Sequence, residues 1–202
     1  MVSSVQSKKV QLPSPITRGD VSLEETLSKR RSIRAYTRDP LSVEEVSQLL
    51  WAAQGLNQGG RGRTAPSAGA TYPLEVYIVV NRVEGLDSGL YHYSPAEHVI
   101  EIKKAGSFSK ELEEAALRQG MIEAAAVSII LTAVYERTTA RYSDRGIRYV
   151  QIEVGHVGQN ICLQAEALGL GTVAVGAFHD GRVRALLEIP EEVLYIMPVG
   201  QK

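Results

Sequence analysis

The sequence predicts a mixed α+β layer fold built as one domain. Helix-like and strand-like segments follow in the order helices, strands, helix, strand, helix, strand, which differs from the regular alternation of βαβ repeats. The longest helical pattern, residues 146–168, is apolar on more than one side and is therefore expected in the interior. No internal repeat or linker divides the chain, so residues 21–202 are predicted to form a single domain after an extended arm, residues 1–20.

The composition is that of a globular protein without a dominant charge. The 202 residues are 44% hydrophobic and 22% charged, with a net charge of −1, which gives no general attraction for nucleic acid or an anionic membrane. A single cysteine excludes an internal disulfide and a multi-cysteine zinc site, and we predict no metal site. Without a long apolar run or a secretory signal in residues 1–12, we expect a cytoplasmic protein that does not enter the membrane.

The first two helices are predicted from their capping residues. The Ser22 hydroxyl can accept the amide of Glu25, whose carboxylate can bond back, and this helix is expected to end near Arg30. Ser42 and Glu45 repeat the arrangement and open a second helix.

Between these helices lies the segment 30–36, Arg-Arg-Ser-Ile-Arg-Ala-Tyr. Its three guanidinium groups and one hydroxyl fall within five residues. Arginine forks match phosphate oxygens in pairs, so this cluster suits a bound phosphomonoester. Taken alone, however, a run of arginines is usually solvated surface, and that interpretation stays open here.

Residues 55–73 form the longest predicted loop and are rich in glycine. Loops of this length in a compact domain tend to be functional. The loop matches neither the phosphate-loop pattern nor G-x-G-x-x-G, and Ser67 lacks the context of a hydrolase nucleophile. Its small residues at 67–70 would let a flat ligand approach the backbone.

The following segments are mostly strands. The pattern predicts strands at 75–80, 89–93, 98–102, 127–134, 172–175 and 193–200, an amphipathic helix at 109–119, and a short helix from residue 180 that ends at Pro190. His92 and His98 fall on the two arms of a hairpin with a four-residue turn. The two histidines could bind a metal as a pair, but the favoured interpretation is that they are two exposed histidines on strands.

The central helix, residues 146–168, carries a long apolar stripe together with apolar residues such as Ile152 on another side. The stripe consists of Ile147, Val150, Val154, Val157, Ile161 and Leu168. Gly155 and Gly158 each cost about 1 kcal/mol of helix propensity, so the close approach of another backbone is expected there. The helix is expected to contribute to a subunit interface, with His156 as a satisfied core or interface histidine.

Several separated motifs occur together in this chain. They are R-R-S-x-R-x-[FY] at 30–36, P-S-A-G-x-x-Y-P at 66–73, R-G-x-R-Y with G-H-x-x-Q-N at 145–160, A-E-A-L-G-L-G at 165–171 and M-P-V-G at 197–200. In this order and spacing the set resembles the FMN-dependent nitroreductase superfamily, and within it the SagB-type dehydrogenase branch. The resemblance spans most of residues 20–200 and implies a homodimer whose mainly antiparallel sheet is flanked by helices.

The resemblance also implies a set of FMN contacts at the dimer interface. The phosphate and ribityl chain would be held by Arg30, Arg31, Ser32 and Arg34, with Lys202 as an additional cation. The isoalloxazine ring would be lined by Pro66, Ser67, Ala68 and Gly69 of the partner subunit. The other ring edge would lie along Val175, Gly176 and Ala177, with a backbone amide near flavin N5, and Gln119 would face the ribityl or pyrimidine side.

The implied activity is a ping-pong transfer of hydride from NADH or NADPH through flavin N5 to an electron-poor small molecule, of nitroaromatic or quinone type. The absence of a Rossmann fingerprint fits transient binding of the nicotinamide. Azoline-to-azole oxidation, the best-defined activity of the branch, uses a Lys-Tyr pair, which here is Arg141-Tyr142. Arginine is a poor proton acceptor, so the replacement counts against azoline oxidation. The resemblance implies that the flavin carries the chemistry, with no catalytic side chain required and Tyr142 as the one candidate. A non-catalytic flavin-binding or flavin-processing protein, and a structural protein with surface arginines, remain alternatives.

Overall fold

The computed structural model describes residues 9–57 and 59–202, so the first eight residues of the predicted arm lie outside the described residues. The strands of the described chain are β1 (Lys9–Gln11), β2 (Leu74–Val80), β3 (Gly89–Ser94), β4 (Val99–Ala105), β5 (Val127–Ala133), β6 (Leu170–Thr172) and β7 (Glu192–Gln201). The helices are α1 (Leu23–Lys29), α2 (Val43–Gln54), α3 (Ser109–Ala115), α4 (Met121–Ala124), α5 (Glu136–Tyr142), α6 (Arg145–Ala167) and α7 (Asp180–Leu187), and a short 3₁₀ turn covers Ala68–Ala70.

The strands form one sheet in the order β1-β4-β3-β2-β5-β7-β6, and every neighbouring pair is antiparallel. Side chains alternate between the two faces of this sheet. In β2, Val76 and Ile78 pack with α2 and α6, whereas Tyr77 and Val79 pack with α3, α4 and α7. The predicted α+β class is therefore confirmed. No helix of the described chain is long and apolar enough to cross a membrane.

Both predicted capping hydrogen bonds are present in α2, and one of the two is present in α1. Ser42 and Glu45 form the complete reciprocal box, with hydrogen bonds of 3.1 and 2.8 Å. Ser22 accepts the amide of Glu25 at 3.1 Å, but the Glu25 carboxylate binds Lys29 instead of reaching back. Lys29 lies one turn further along the exposed side of α1 and offers a full positive charge, which competes for the carboxylate.

The arm pairs with the sheet, and the hairpin histidines differ from the prediction. Residues 9–11 of the arm form the edge strand β1 against β4. His98 ends the hairpin turn with a left-handed backbone (φ 52°), and its Nε2 lies 2.8 Å from the Ser47 hydroxyl and 3.0 Å from the Pro13 carbonyl. His92 lies 2.7 Å from the Glu75 carboxylate. Both histidines are half-buried, so the interpretation of His92 and His98 as two exposed strand histidines was wrong.

The helical prediction for residues 109–119 was too long. The helix α3 stops at Ala115, because Leu117 and Arg118 have left-handed backbones (φ 58° and 57°), and the short α4 follows. The helix α5 was absent from the prediction, and its Arg141 contacts the loop at Gly69.

The helix α6 buries Val150, Val157 and Ile161 of the expected stripe, but Ile147 of that stripe, in the first turn, is 45% exposed. The other apolar side of α6 is open within the subunit. Ile152 is 49% exposed, and a Cβ built on Gly155 meets no atom within 4 Å. At Gly158 the nearest group is a side chain, Tyr195, at 3.4 Å. Within the subunit no other backbone approaches Gly155 or Gly158 closely, so that prediction was wrong.

His156 lies on the same open side of α6 and is exposed, so it is not a core histidine. Its assignment to a subunit interface stays a prediction.

Candidate active site

The arginine segment lies on a floor made by two glycines. Gly171 of β6 is paired directly with Gly200 of β7. A Cβ at Gly171 would be 2.7 Å from the Ile33 side chain, and one at Gly200 would be 2.8 Å from Tyr36. The Ile33 amide also donates to the Thr172 carbonyl at 2.9 Å. The apolar side chains of the segment are thus fixed against the sheet.

The polar side chains of the segment point the other way. Arg31, Ser32 and Arg34 are exposed, and together with Lys202 they line an open pocket of about 440 Å³. Within the described chain, none of the guanidinium groups of residues 30, 31 and 34 forms an ion pair. The Lys202 ammonium lies 3.0 Å from both carboxylate oxygens of Glu166. The structure therefore brings Lys202 to the arginine segment, where it is held by Glu166.

The predicted ring edge follows β6 in the chain. Val175 exchanges two backbone hydrogen bonds with Ile196 of β7, at 2.9 and 3.0 Å, and is buried. Gly176 and Ala177 are exposed, and Gln119 donates to the Ala177 carbonyl at 2.8 Å. Gly176 follows Thr172 by four residues, so the chain between the Ile33 contact and the ring edge spans at most about 14 Å.

The loop Pro66–Gly69 lies elsewhere on the subunit. Gly69 contacts the end of α5: its carbonyl accepts from Arg141 at 3.0 Å, and a Cβ on it would be 2.5 Å from the Tyr142 hydroxyl. Tyr142 packs edge-to-face on Tyr149, near the start of α6, with ring centroids 5.1 Å apart. Glu166, which holds Lys202, is 17 residues further along that helix, or about 25 Å. One subunit does not bring this loop to its own arginine segment.

A buried polar cluster lies under the same loop. Glu153 of α6 is 3% exposed, and its Oε1 has no hydrogen-bond partner in the described chain. Burial raises the pKa of the Glu153 carboxyl, against the opposing influence of the Ser67 hydroxyl and the Arg63 guanidinium. Arg63 donates to the buried Gln54 side chain at 2.6 Å and lies over the Tyr72 ring, 4.6 Å from its centroid.

Sequence reasoning missed Glu153, although a signal was present. Glu153 lies three residues after Val150 and one before Val154, so it falls on the buried stripe of α6. A carboxylate at such a position is costly to bury unless it is paired or protonated, which makes it conspicuous in the pattern.

The chain thus combines an antiparallel sheet between helical layers with a pocket lined by cationic side chains. The Nitroreductase family model matches residues 27–201, and the chain belongs to the nitroreductase family. A provisionally named nitroreductase of Methanocaldococcus jannaschii is 48% identical over 194 residues, which are 96% of each chain.

Solved structures agree with this fold. A nitroreductase-type protein of Anabaena variabilis is 33% identical, with a TM-score of 0.85, over 96% of this chain and 42% of that one. A similar protein of Ralstonia eutropha is 28% identical, with a TM-score of 0.83, over 96% of this chain and 89% of that one.

Two further relatives have names that describe an activity. The FMN reductase [NAD(P)H] of Bacillus subtilis is 26% identical over 187 residues, which are 87% of this chain and 61% of the relative. The Microcin B17-processing protein McbC of Escherichia coli is 24% identical over 186 residues, which are 87% of this chain and 68% of the relative. The chain is therefore an oxidoreductase of the nitroreductase family, and its relatives include an FMN reductase and a microcin-processing protein.

Proposed function

We propose that this protein is a homodimeric FMN-dependent oxidoreductase that passes hydride from NADH or NADPH to an electron-poor small molecule of nitroaromatic or quinone type. The observation that carries the proposal is the set of unpaired cationic donors at the pocket of residues 31–34. Charges of one sign, left without counter-charges on a rigid floor, favour an anionic ligand. Arginine can bind two oxygens of one phosphate at once, and this bidentate geometry suits a phosphate monoester, which is the terminal group of FMN.

The chain's residues fit this cofactor in type and order. Arg30, Arg31, Ser32 and Arg34 would hold the phosphate and the first ribityl oxygens, and Lys202 would add a cation if Glu166 released it. When bound, FMN supplies the hydride chemistry, and the protein supplies placement and charge.

The ring edge offers main-chain donors. The amides of Gly176 and Ala177 donate to no other described group, so they are available to a polar edge of the ring. Gln119 is held by the carbonyls of Ala116 and Ala177, at 2.9 and 2.8 Å, which leaves its amide oxygen as the free acceptor. Backbone amides and the Gln119 side chain are thus the polar groups that this side of the site offers.

The proposal needs a second copy of the chain. The Gly69 end of the loop contacts Tyr142, which packs on Tyr149, about 25 Å along α6 from the Glu166 that holds Lys202 at the pocket. Packing of two α6 helices through their open sides would cover Ile152 and use the free space at Gly155. It would also allow the loop of one subunit to reach the pocket of the other, which accounts for an otherwise unpartnered apolar surface.

Azoline oxidation is the second candidate, favoured by the likeness to McbC and by the position of Tyr142 against Gly69. Its weakness is Arg141, because a guanidinium does not take up a proton at working pH. Tyr142 would have to act as an acid or base without the lysine amine that accompanies the tyrosine in the azoline-oxidising branch.

Anaerobic titration tests the proposal. The reconstituted protein should be yellow, NADH or NADPH should bleach the flavin, and a quinone or nitroaromatic should restore the colour. Uptake of FMN without bleaching by either nicotinamide would instead support a non-catalytic flavin-binding protein. No uptake of FMN would contradict the proposal outright.

A further inference from the structure

The loop that would line the flavin ring has an unusual backbone. Three of its residues, Gly69, Ala70 and Tyr72, have left-handed conformations with φ of 59°, 53° and 46°. Residues with a Cβ rarely adopt this conformation, and two of these three carry one. Such a path persists only where the surroundings over-determine it.

Three side chains of α5 hold this path from outside. Arg137 donates to the Tyr72 carbonyl at 3.1 Å, the Thr138 and Thr71 hydroxyls lie 2.8 Å apart, and Arg141 donates to the Gly69 carbonyl at 3.0 Å.

The first two contacts rest on a fixed base. Arg137 is also tied to the sheet through Glu75 of β2 at 2.6 Å, and Thr138 is 1% exposed.

Arg141 differs from its neighbours because the loop is its only hydrogen-bonding partner in the described chain. Its guanidinium lies 5.4 Å from the Tyr142 ring and forms no ion pair with a described residue. The same two residues leave no room for a Cβ at Gly69. The contact therefore fixes the point where the loop turns.

We propose that Arg141 is a positioning residue that clamps the Gly69 carbonyl, so that Pro66–Gly69 is presented preformed to the cofactor of a neighbouring subunit. The inference rests on the proposed FMN site. A loop ordered before binding costs the complex less than one ordered by the ligand. Arginine suits this task because it stays charged and presents several donors in a rigid plane. The position that holds lysine in the azoline-oxidising branch would thus serve geometry in this chain.

The test compares Arg141→Met and Arg141→Lys with Arg182→Met, a matched loss of charge on the exposed side of α7. One readout is hydrogen exchange of the Ala70, Thr71 and Tyr72 amides, which bond to Ser67 and Ala68 inside the loop. The other is the Kd of FMN, measured by quenching of flavin fluorescence. Arg141→Met should speed exchange and weaken FMN binding, each by about tenfold, with Arg141→Lys intermediate and the control unchanged.

Unchanged exchange and an unchanged Kd in Arg141→Met would overturn the inference. A loss of turnover alone, with both readouts at the wild-type level, would overturn it too, because Arg141 would then act on the substrate. If the wild-type protein takes up no FMN, the proposed function fails, while the exchange measurement still decides whether Arg141 clamps the loop.

Discussion

The glycine pair under the arginine segment gives a prediction that can be worked from distances. Alanine at Gly171 would place its Cβ 2.7 Å from Ile33, and alanine at Gly200 would place it 2.8 Å from Tyr36. Carbon atoms normally rest about 3.5–4.0 Å apart, so either side chain must move by about 1 Å. Because the same segment carries Arg31 and Arg34, its displacement moves the pocket donors as well.

The size of the effect follows from two opposed contributions. Overpacking costs about 1–3 kcal/mol, and replacing glycine returns about 0.4–1 kcal/mol by restricting the unfolded chain. Each variant should therefore lose about 1–2 kcal/mol of stability, which lowers Tm by about 2–8 °C in a domain of this size. A shift of about 1 Å in the donors should weaken FMN binding by about tenfold, or 1.4 kcal/mol.

The assay combines thermal unfolding of the apoprotein with titration of FMN by fluorescence quenching. Gly181→Ala is the matched control, since a Cβ there meets no atom within 4 Å and alanine should stabilise α7 by about 0.5–1 kcal/mol. If Gly171→Ala and Gly200→Ala match the wild type in both stability and Kd, the floor does not position the arginines.

Three further predictions concern single residues. Arg34→Ala should raise the Kd of FMN by about 10–100-fold, because a hydrogen bond to a charged group is worth about 1.5–3 kcal/mol; a Kd within twofold of the wild type would contradict this. Glu153→Gln should gain stability relative to the wild type as pH rises above about 4.3, because the unfolded carboxyl ionises there while burial raises the pKa of the folded carboxyl above that of the unfolded one. Urea unfolding across pH 4–8 measures this difference, and parallel curves would disprove it. Ile152→Glu should yield folded monomers in sedimentation, whereas an unchanged dimer fraction would exclude the open side of α6 as the interface.

The sequence was sufficient to predict those elements that are specified by residues close together in the chain. The capping residue Ser42 and the apolar stripe of α6 specify their structures through neighbours three or four residues away. The Arg31–Arg34 segment and Gly176 were predicted from the resemblance, and the hydrogen bond from Ile33 to Thr172 ties the segment to the strand that leads to Gly176. Their contacts with FMN stay predictions.

Features that depend on distant partners could not be predicted. The strand β1 exists because β4 offers an open edge, and His98 is half-buried because the arm and α2 meet over it. The clamp of α5 on Gly69 joins residues 72 positions apart in sequence. Hydrophobic periodicity carries no information about such pairs, since each depends on tertiary approach and not on local propensity.

The central claim is that two subunits share each FMN site, and a mixing experiment tests it directly. One variant, Arg31→Ala with Arg34→Ala, would lack the phosphate anchor, and another, Gly69→Val, would lack the ring-lining loop. Each should bind FMN poorly alone. After unfolding, mixing and refolding together, half of the dimers should be mixed, and each mixed dimer should contain one intact site, restoring about a quarter of all sites. A mixture that binds no more FMN than the separate variants would contradict a site shared between subunits.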